Sequence, residues 1–184
     1  MGQNHIANVL SKCSNHLFLL SGIKSFLSID NRKLFYNAYI LPHFDYCCII
    51  WGNCNSSLED KLVKFQKRAA RLILNADFTT PSVELFHTLR WMTFPERVIY
   101  RKALQMYQTI HGNAPEYLKS VFTFTSDIHT LRLRSSSEFQ LYTPRLRLET
   151  FRQSFSFSDS LWLNIQNASS VHQFKPSSLK WFNF

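Results

Sequence analysis

The sequence predicts a mostly α protein, a helical bundle followed by a partly extended C-terminal region. Three observations lead there. Apolar residues recur three and four positions apart through the first 120 or so residues, the spacing that gathers them on one face of a helix. The periodic segments open on Ser, Thr, Asp or Pro and close near Gly or Pro, the residues that start and stop helices. Glycine is scarce, four residues in 184, while 17 phenylalanines supply bulky core filling. With 45% hydrophobic residues the chain is not a disordered tail. At this length folding removes roughly 70% of the unfolded chain's surface from water. Three regions follow: a helical bundle over 1–75, further helices packed on it over 76–122, and loop, short strands and final short helices over 123–184.

The elements follow in order. Ile6, Val9, Leu10, Cys13, Leu17 and Leu20 recur at helix spacing. Asp30 then caps a helix holding Leu34, Phe35, Ala38 and Tyr39. Pro42 must interrupt or kink it, because proline lacks the N–H donor and clashes with the preceding turn. The apolar run from Phe44 to Trp51 continues to Gly52, and Cys54-Asn55-Ser56-Ser57 forms the turn into the next helix. Thr80 caps, and Pro81 opens at the first helical position, a short helix to about Leu89. Thr93 and Glu96 make a capping box for a helix that packs Val98, Ile99, Ala103, Met106, Tyr107 and Ile110 inward and ends at Gly112. Pro115 opens one more short helix through Phe122. Beyond it, Thr123 to Ser137 reads as loop. Residues 139–142 and 145–148 alternate as half-buried strands interrupted by Pro144, and a last short helix spans about Phe157 to Asn167.

The helix after the Cys54–Ser57 turn has a divided surface. At about 100° per residue, Leu58, Leu62, Phe65, Ala69, Leu72 and Ile73 fall on one arc about 100° wide. Lys61, Lys64, Lys67, Arg68 and Arg71 fall on a separate arc about 120° wide. Ser56 is read as its cap, with Glu59 three residues later completing a capping box. Glu59 and Asp60 sit at the positive end of the helix dipole, Arg68 and Arg71 near the negative end. The apolar arc is expected to pack against the first two helices, with Phe35, Tyr39 and Trp51 beneath Leu62, Phe65, Ala69 and Leu72. The plain reading of the basic arc is a solvated face on a core helix. The chemical one is a phosphate-binding face: a rise of about 15 Å from Lys61 to Arg71 is enough to meet several phosphates.

The net charge is +9 and the pI about 9.6, which points to an acidic partner, nucleic acid or an anionic surface. No targeting or membrane segment is convincing. The apolar stretch Leu17–Ile29 is broken by Gly22 and Lys24 and falls well short of about 20 residues. The expected setting is intracellular, nuclear or cytoplasmic. Cys13, Cys47, Cys48 and Cys54 include no C-x-x-C pair, and none of the seven histidines stands at ligand spacing from them, so no metal and no cofactor is expected. Reduced, buried thiols fit Cys13, Cys47 and Cys48. Trp51, Trp91, Trp162 and Trp181 could stack bases; their apolar surroundings favour core anchors instead, above all for Trp51 and Trp91.

Particular words in the chain add a resemblance. They are the run Tyr39-Ile40-Leu41-Pro42-His43-Phe44-Asp45-Tyr46, then Trp51-Gly52, then Phe65-Gln66-Lys67-Arg68-Ala69-Ala70-Arg71-Leu72-Ile73. Together these resemble the region after the polymerase core in reverse transcriptases of non-LTR (LINE-type) retrotransposons, of the jockey-like and chicken-repeat-like kind. His5-Ile6 through Leu27, Gly112-Asn113-Ala114-Pro115-Glu116-Tyr117-Leu118, and Ser154-Phe155 through Phe174-Lys175 are similar to further segments of that family. One departure is Trp162-Leu163-Asn164-Ile165-Gln166, where the family has Trp-Asn-x-Leu-Pro.

The resemblance implies that residues 1–75 are a thumb-like bundle gripping primer–template duplex by its backbone, without reading sequence, and that the rest is a C-terminal extension. Arg132, Arg134, Arg145, Arg147 and Arg152 would extend the footprint, or form a solvated face. The family's fingers and palm would precede Met1. Its catalytic Tyr/Phe-x-Asp-Asp does not occur, and no Asp neighbours another Asp. Two-metal phosphoryl transfer needs converging carboxylates; on that ground the chain is expected not to be an enzyme. An apolar patch around Ile23, Phe26 and Leu27, of the kind a palm would cover, leads to an expectation of self-association. Two rival readings are a helical protein-interaction module with no nucleic-acid role, and a stand-alone DNA-binding protein with Leu58–Leu74 in a major groove.

Overall fold

The computed structural model describes residues 2–122. Within them lie seven α-helices: α1 (Gly2–Ile23), α2 (Ile29–Phe35), α3 (Leu41–Asp45), α4 (Cys48–Trp51), α5 (Ser56–Leu74), α6 (Ser82–Leu89) and α7 (Phe94–Ile110). No strand occurs among the described residues, so the chain is mostly α as expected. The strands, loop and last helix read beyond Phe122, with Arg132, Arg134, Arg145, Arg147, Arg152, Trp162 and Trp181, lie outside the described residues. Two compact units divide the chain, one ending at Val98 and the other beginning at Ile99.

In the first unit, α1 buries Ile6, Val9, Cys13, Leu17 and Leu20, three and four apart, and α5 packs against α1, α2 and α6. The next stretch departs from the sequence reading. Ser28, not Asp30, caps α2, its hydroxyl accepting the Asn31 N–H at 3.3 Å; Asp30 sits in the first turn. A π turn over Tyr36–Ile40 then precedes α3, which carries Pro42 in its first turn. The predicted interruption at Pro42 takes this form for a physical reason. In an unbroken helix the proline would leave the Ala38 carbonyl without a donor and press its ring against it. One wider turn relieves the clash.

The π turn also resets which residues face inward. A π turn takes more than four residues and an α turn fewer, so the two together average close to four. Tyr36, Ile40, Phe44 and Cys48, four apart, are therefore all buried. Leu34, Ala38 and Tyr39, expected inside from ordinary helix periodicity, are exposed, and Phe35 is half-buried. It is Tyr36 and Phe44, not Tyr39, that lie in the core with Phe65; the Phe44 and Phe65 rings stand 5.7 Å apart. Trp51 is half-buried and stacks on Phe94 at 5.2 Å.

Tight backbone geometry links these elements to α5. Cys47 enters α4 at φ 51° and is exposed, against the expectation of a buried thiol. Cys48 and Cys13 are buried. Gly52 closes α4, where a Cβ would lie 2.3 Å from the Cys48 carbonyl oxygen and 2.6 Å from a Val98 methyl, so only glycine fits. The cap of α5 is Asn55, whose Oδ1 accepts the Leu58 N–H at 3.0 Å. Ser56 stands one residue inside the helix, and the Ser56–Glu59 box does not form; Glu59 remains in the first turn. Asn is at least as good a cap as Ser, and the two stand side by side.

The apolar arc of α5 buries Leu58, Leu62, Phe65, Ala69 and Ile73, joined by Gln66 and Ala70; Leu72 is half-buried. α6 starts one residue later than read, Pro81 being extended ahead of it. At α7, Glu96 accepts hydrogen bonds from the Thr93 N–H and hydroxyl, each at 2.8 Å. Val98, Ala103, Met106 and Tyr107 are buried as expected. Ile99 is not, at 37% exposure, and Lys102 is buried in its stead; Ile110 is half-buried. The helix ends at Ile110, two residues before Gly112 at φ 77°. The element after Pro115 is a 3-10 turn over Glu116–Val121. Outside the core, Phe18, Leu19, Ile23, Phe26 and Leu34 are exposed, Phe26 at 87%.

Two measurements check this core. Phe65→Ala should cost about 3–5 kcal/mol in urea unfolding, as for a large buried aromatic; a cost below about 1 kcal/mol would put Phe65 at the surface. The second concerns alkaline pH. Burial pushes the Cys13 thiol up from 9.0 to about 12, and raises the Tyr36 hydroxyl too, although Gln66 and Arg97 nearby pull the other way. The folded state then holds these protons more tightly than the unfolded chain. Their contribution to stability is complete below pH 9 and is lost as pH rises toward 12. The urea midpoint should fall through that window, and Cys13→Ser should make the fall shallower.

Candidate nucleic-acid interface

The five predicted cations divide into two groups on α5. Lys61, Lys64 and Arg68 are exposed, while Lys67 and Arg71 are half-buried. Lys61, Lys64, Arg68 and Arg71 follow one another three and four apart, so they form a row along the helix, with Lys67 at its edge. Asp60 is exposed on the same arc, one turn before Lys64, and sets the start of the purely basic stretch. The Arg68 guanidinium lies over the Phe65 ring at 5.6 Å, which steadies a side chain that remains exposed.

Arg71 is engaged elsewhere. Its guanidinium lies 5.2 Å from the Phe78 ring centroid, and its Nη2 donates to the Thr80 carbonyl at 3.4 Å. The residue braces the turn that leads from α5 to α6. The end of α5 gathers further cations. Arg32 donates to the carbonyls of Ile73 and Leu27, each at 3.0 Å, filling one of the last-turn acceptors that the helix itself cannot satisfy. Lys24 Nζ donates to Asn75 Oδ1 at 3.2 Å. Asn75 is the left-handed cap at φ 52°, and Ala76 N–H closes back on the Arg71 carbonyl at 3.0 Å.

Two residues that hold this face in place were not singled out in the sequence. Gln66, 2% exposed, accepts the Phe94 N–H through Oε1 at 2.8 Å and donates from Nε2 to the Met92 carbonyl at 3.4 Å. Arg97 pairs with Asp45 by two donors, Nε to Oδ1 and Nη2 to Oδ2, the latter at 2.6 Å. Burial opposes the Arg97 charge, but the Asp45 carboxylate outweighs it and the guanidinium is held charged. Gln66 and Asp45 both stand inside the words that carry the resemblance. Nothing in helix periodicity flags either, because a buried polar residue on an apolar face is recognisable only once its partner is known.

Trp51 Nε1 donates to the Tyr46 carbonyl at 2.7 Å, and Trp91 stacks on Tyr36 at 4.0 Å; both are core anchors, as read. Among the described residues no group of three His, Cys, Asp or Glu side chains is arranged to hold a metal ion, and no helix is long and apolar enough to cross a membrane.

Over 83 residues, 45% of its length, the chain is 30% identical to a probable RNA-directed DNA polymerase from transposon X-element of Drosophila melanogaster. The chain spans 9% of that protein's length. No protein-family model matches the chain, and no solved structure does. The likeness supports a relation to retrotransposon RNA-directed DNA polymerases. It also corrects one expectation. The chain was expected not to be an enzyme, for want of paired carboxylates, yet the protein it is similar to is a probable polymerase. Aspartates missing from one stretch of sequence do not make a polymerase-related chain a non-enzyme, and that classification falls.

The different surroundings of the two arginines give a stability test. Arg71→Ala should cost about 1 kcal/mol, the worth of one hydrogen bond with its packing. Arg68→Ala should stay within about 0.5 kcal/mol, as for an exposed residue. Equal losses in urea unfolding would put both guanidiniums in the same environment.

Proposed function

We propose that the exposed row Lys61, Lys64 and Arg68, with Lys67 beside it and Arg71 at its inner end, contacts the backbone of a primer–template duplex without reading its sequence. Residues 1–75 would then be a thumb-like bundle, 76–122 further helices and 123–184 an extension, in a protein related to a retrotransposon reverse transcriptase. The partner implies work inside the cell. The observation that carries the reading is the row itself: cations three and four apart on the open side of a helix whose other side is core. Phosphate contacts position a protein on a duplex and carry no sequence information. A recognition helix in a major groove reads guanine through Arg or Lys but needs Asn or Gln on the open face to read adenine. The glutamine of α5 is instead buried and committed to Phe94 and Met92.

A second reading has one observation in its favour. Phe18 at 77% and Phe26 at 87% exposure are large apolar groups in water, which suits a self-associating interaction module. Under that reading, charge on α5 is irrelevant to binding.

Salt dependence separates the two. If Lys61, Lys64 and Arg68 each neutralise one phosphate, the α5 face contributes a slope of about −2.7 to log K against log salt on a duplex. Affinity should differ little between duplexes of unrelated sequence. Changing Lys61, Lys64, Lys67 and Arg68 together to Glu, leaving Arg71 and Gln66 intact, should abolish binding while the helical circular dichroism is kept. Undiminished affinity in that variant would sink the reading.

A further inference from the structure

The row on α5 does not stop where the helix does. Continuing the alternation of three and four from Lys61, Lys64, Arg68 and Arg71 leads next to Asn75. At that point the helix ends, and no further α5 side chain can supply charge. The Asn75 amide oxygen instead holds the ammonium of Lys24, 3.2 Å away, which comes from the 3-10 turn after α1, 51 residues earlier in the chain. We propose that Lys24 is a further phosphate-binding residue, the last cation of the row, supplied from a second element and held in line by Asn75.

The chemistry suits this role. Asn75 is neutral, so the contact orients the ammonium without neutralising it, and a lysine ammonium has three donors, of which this contact uses one. Asn75 is exposed and Lys24 half-buried, and the bond between them is open to solvent. Arg71, the cation before it, is half-buried, gives one Nη2 donor to the Thr80 carbonyl and lays its face on Phe78, so the outer end of the row gains from a further cation. From Lys61 to the Asn75 cap α5 rises about 21 Å, a length over which side chains carried on one helix face can meet several phosphates. A competing role is purely structural: a cation at the C-terminal end of α5 favours the helix dipole. Stability would register that role and salt dependence would not.

The inference rests on the α5 face binding a phosphate backbone, and the experiment keeps the two apart. Binding of the full chain to a mixed-sequence duplex is followed over a range of salt concentrations. With Lys24 included the wild-type slope should be about −3.6, and Lys24→Gln, which keeps a donor for Asn75 and removes the charge, should return it to about −2.7. Lys24→Arg should restore the steeper slope. A Lys24→Gln slope equal to that of the wild type overturns the proposal, whatever happens to stability; Lys24 would then be a brace for the end of α5. If Lys24→Gln lowers both slope and thermal midpoint, restoration by Arg supports the proposal and its failure overturns it. Absence of salt-dependent binding by the wild type would instead remove the phosphate-binding face, and the proposal with it.

Discussion

The placement of α5 depends on one buried amide. A helix begins with N–H groups that its own carbonyls cannot satisfy, and the Phe94 N–H at the start of α7 is such a group. Phe94 is fully buried, so water cannot take that donor. Gln66 takes it, and returns a hydrogen bond to the Met92 carbonyl just ahead. Leaving such a donor unpaired costs about 1–3 kcal/mol. The start of α7 is therefore tied to the middle of α5. Phe94, held there, supports the rings of Phe44 and Trp51. One helical turn later the Arg97–Asp45 pair ties the same helix to the end of α3. With α5 held on that side, and α1, α2 and α6 packed against it, its lysines have one direction left to point.

Much of this was legible in the sequence, and what was not has identifiable causes. The stripe of α1 and the divided surface of α5 came through because both helices are long and regular, so a period of 3.6 holds over many turns. The caps of α2, α5 and α6 were misplaced by one or two residues where several short polar residues, or a proline, stand together. The π turn was illegible to a period of 3.6, which put Tyr39 and Ala38 inside in place of Tyr36 and Ile40. Its trace was present all the same: Tyr36, Ile40, Phe44 and Cys48 repeat every four residues, across a proline. Ile99 and Lys102 changed places for another reason. A lysine's methylene stem can lie along apolar surface, so charge alone does not assign it to water.

The candidate site shows the same division. Exposure of Lys61, Lys64 and Arg68 follows from the helical arc, which the sequence contains. The fate of Arg71 does not, because Phe78 and Thr80 lie beyond the helix and their position is set by how the chain turns. Lys24 is further still from legibility, since its nearness to Asn75 exists only after α1 and α5 have packed. The residues that tertiary structure adds to the face, or takes from it, are those at the end of the helix, where its own periodicity gives out.

This has a consequence for how the face can hold an anion. Lysine is a compact, strongly hydrated charge on a flexible stem, whereas arginine is a planar fork that stacks on aromatic rings. Each arginine of α5 lies over a phenylalanine, Arg68 over Phe65 and Arg71 over Phe78, so each has lost freedom before any ligand arrives. Lys61 and Lys64 have no such restraint, and their ordering must be met out of the energy of contact. Arg68 alone is both steadied and open. Should the row track a backbone, as proposed, the preset Arg68 donor would fix the register of one phosphate, and the mobile ammonium groups of Lys61 and Lys64, both on its N-terminal side, would adjust to the next ones. On the proposed reading, the arrangement would suit a ligand whose charges are regularly spaced and whose bases are not inspected, because adjustment at the lysines would tolerate sequence-dependent variation in groove shape that a row of fixed forks would penalise.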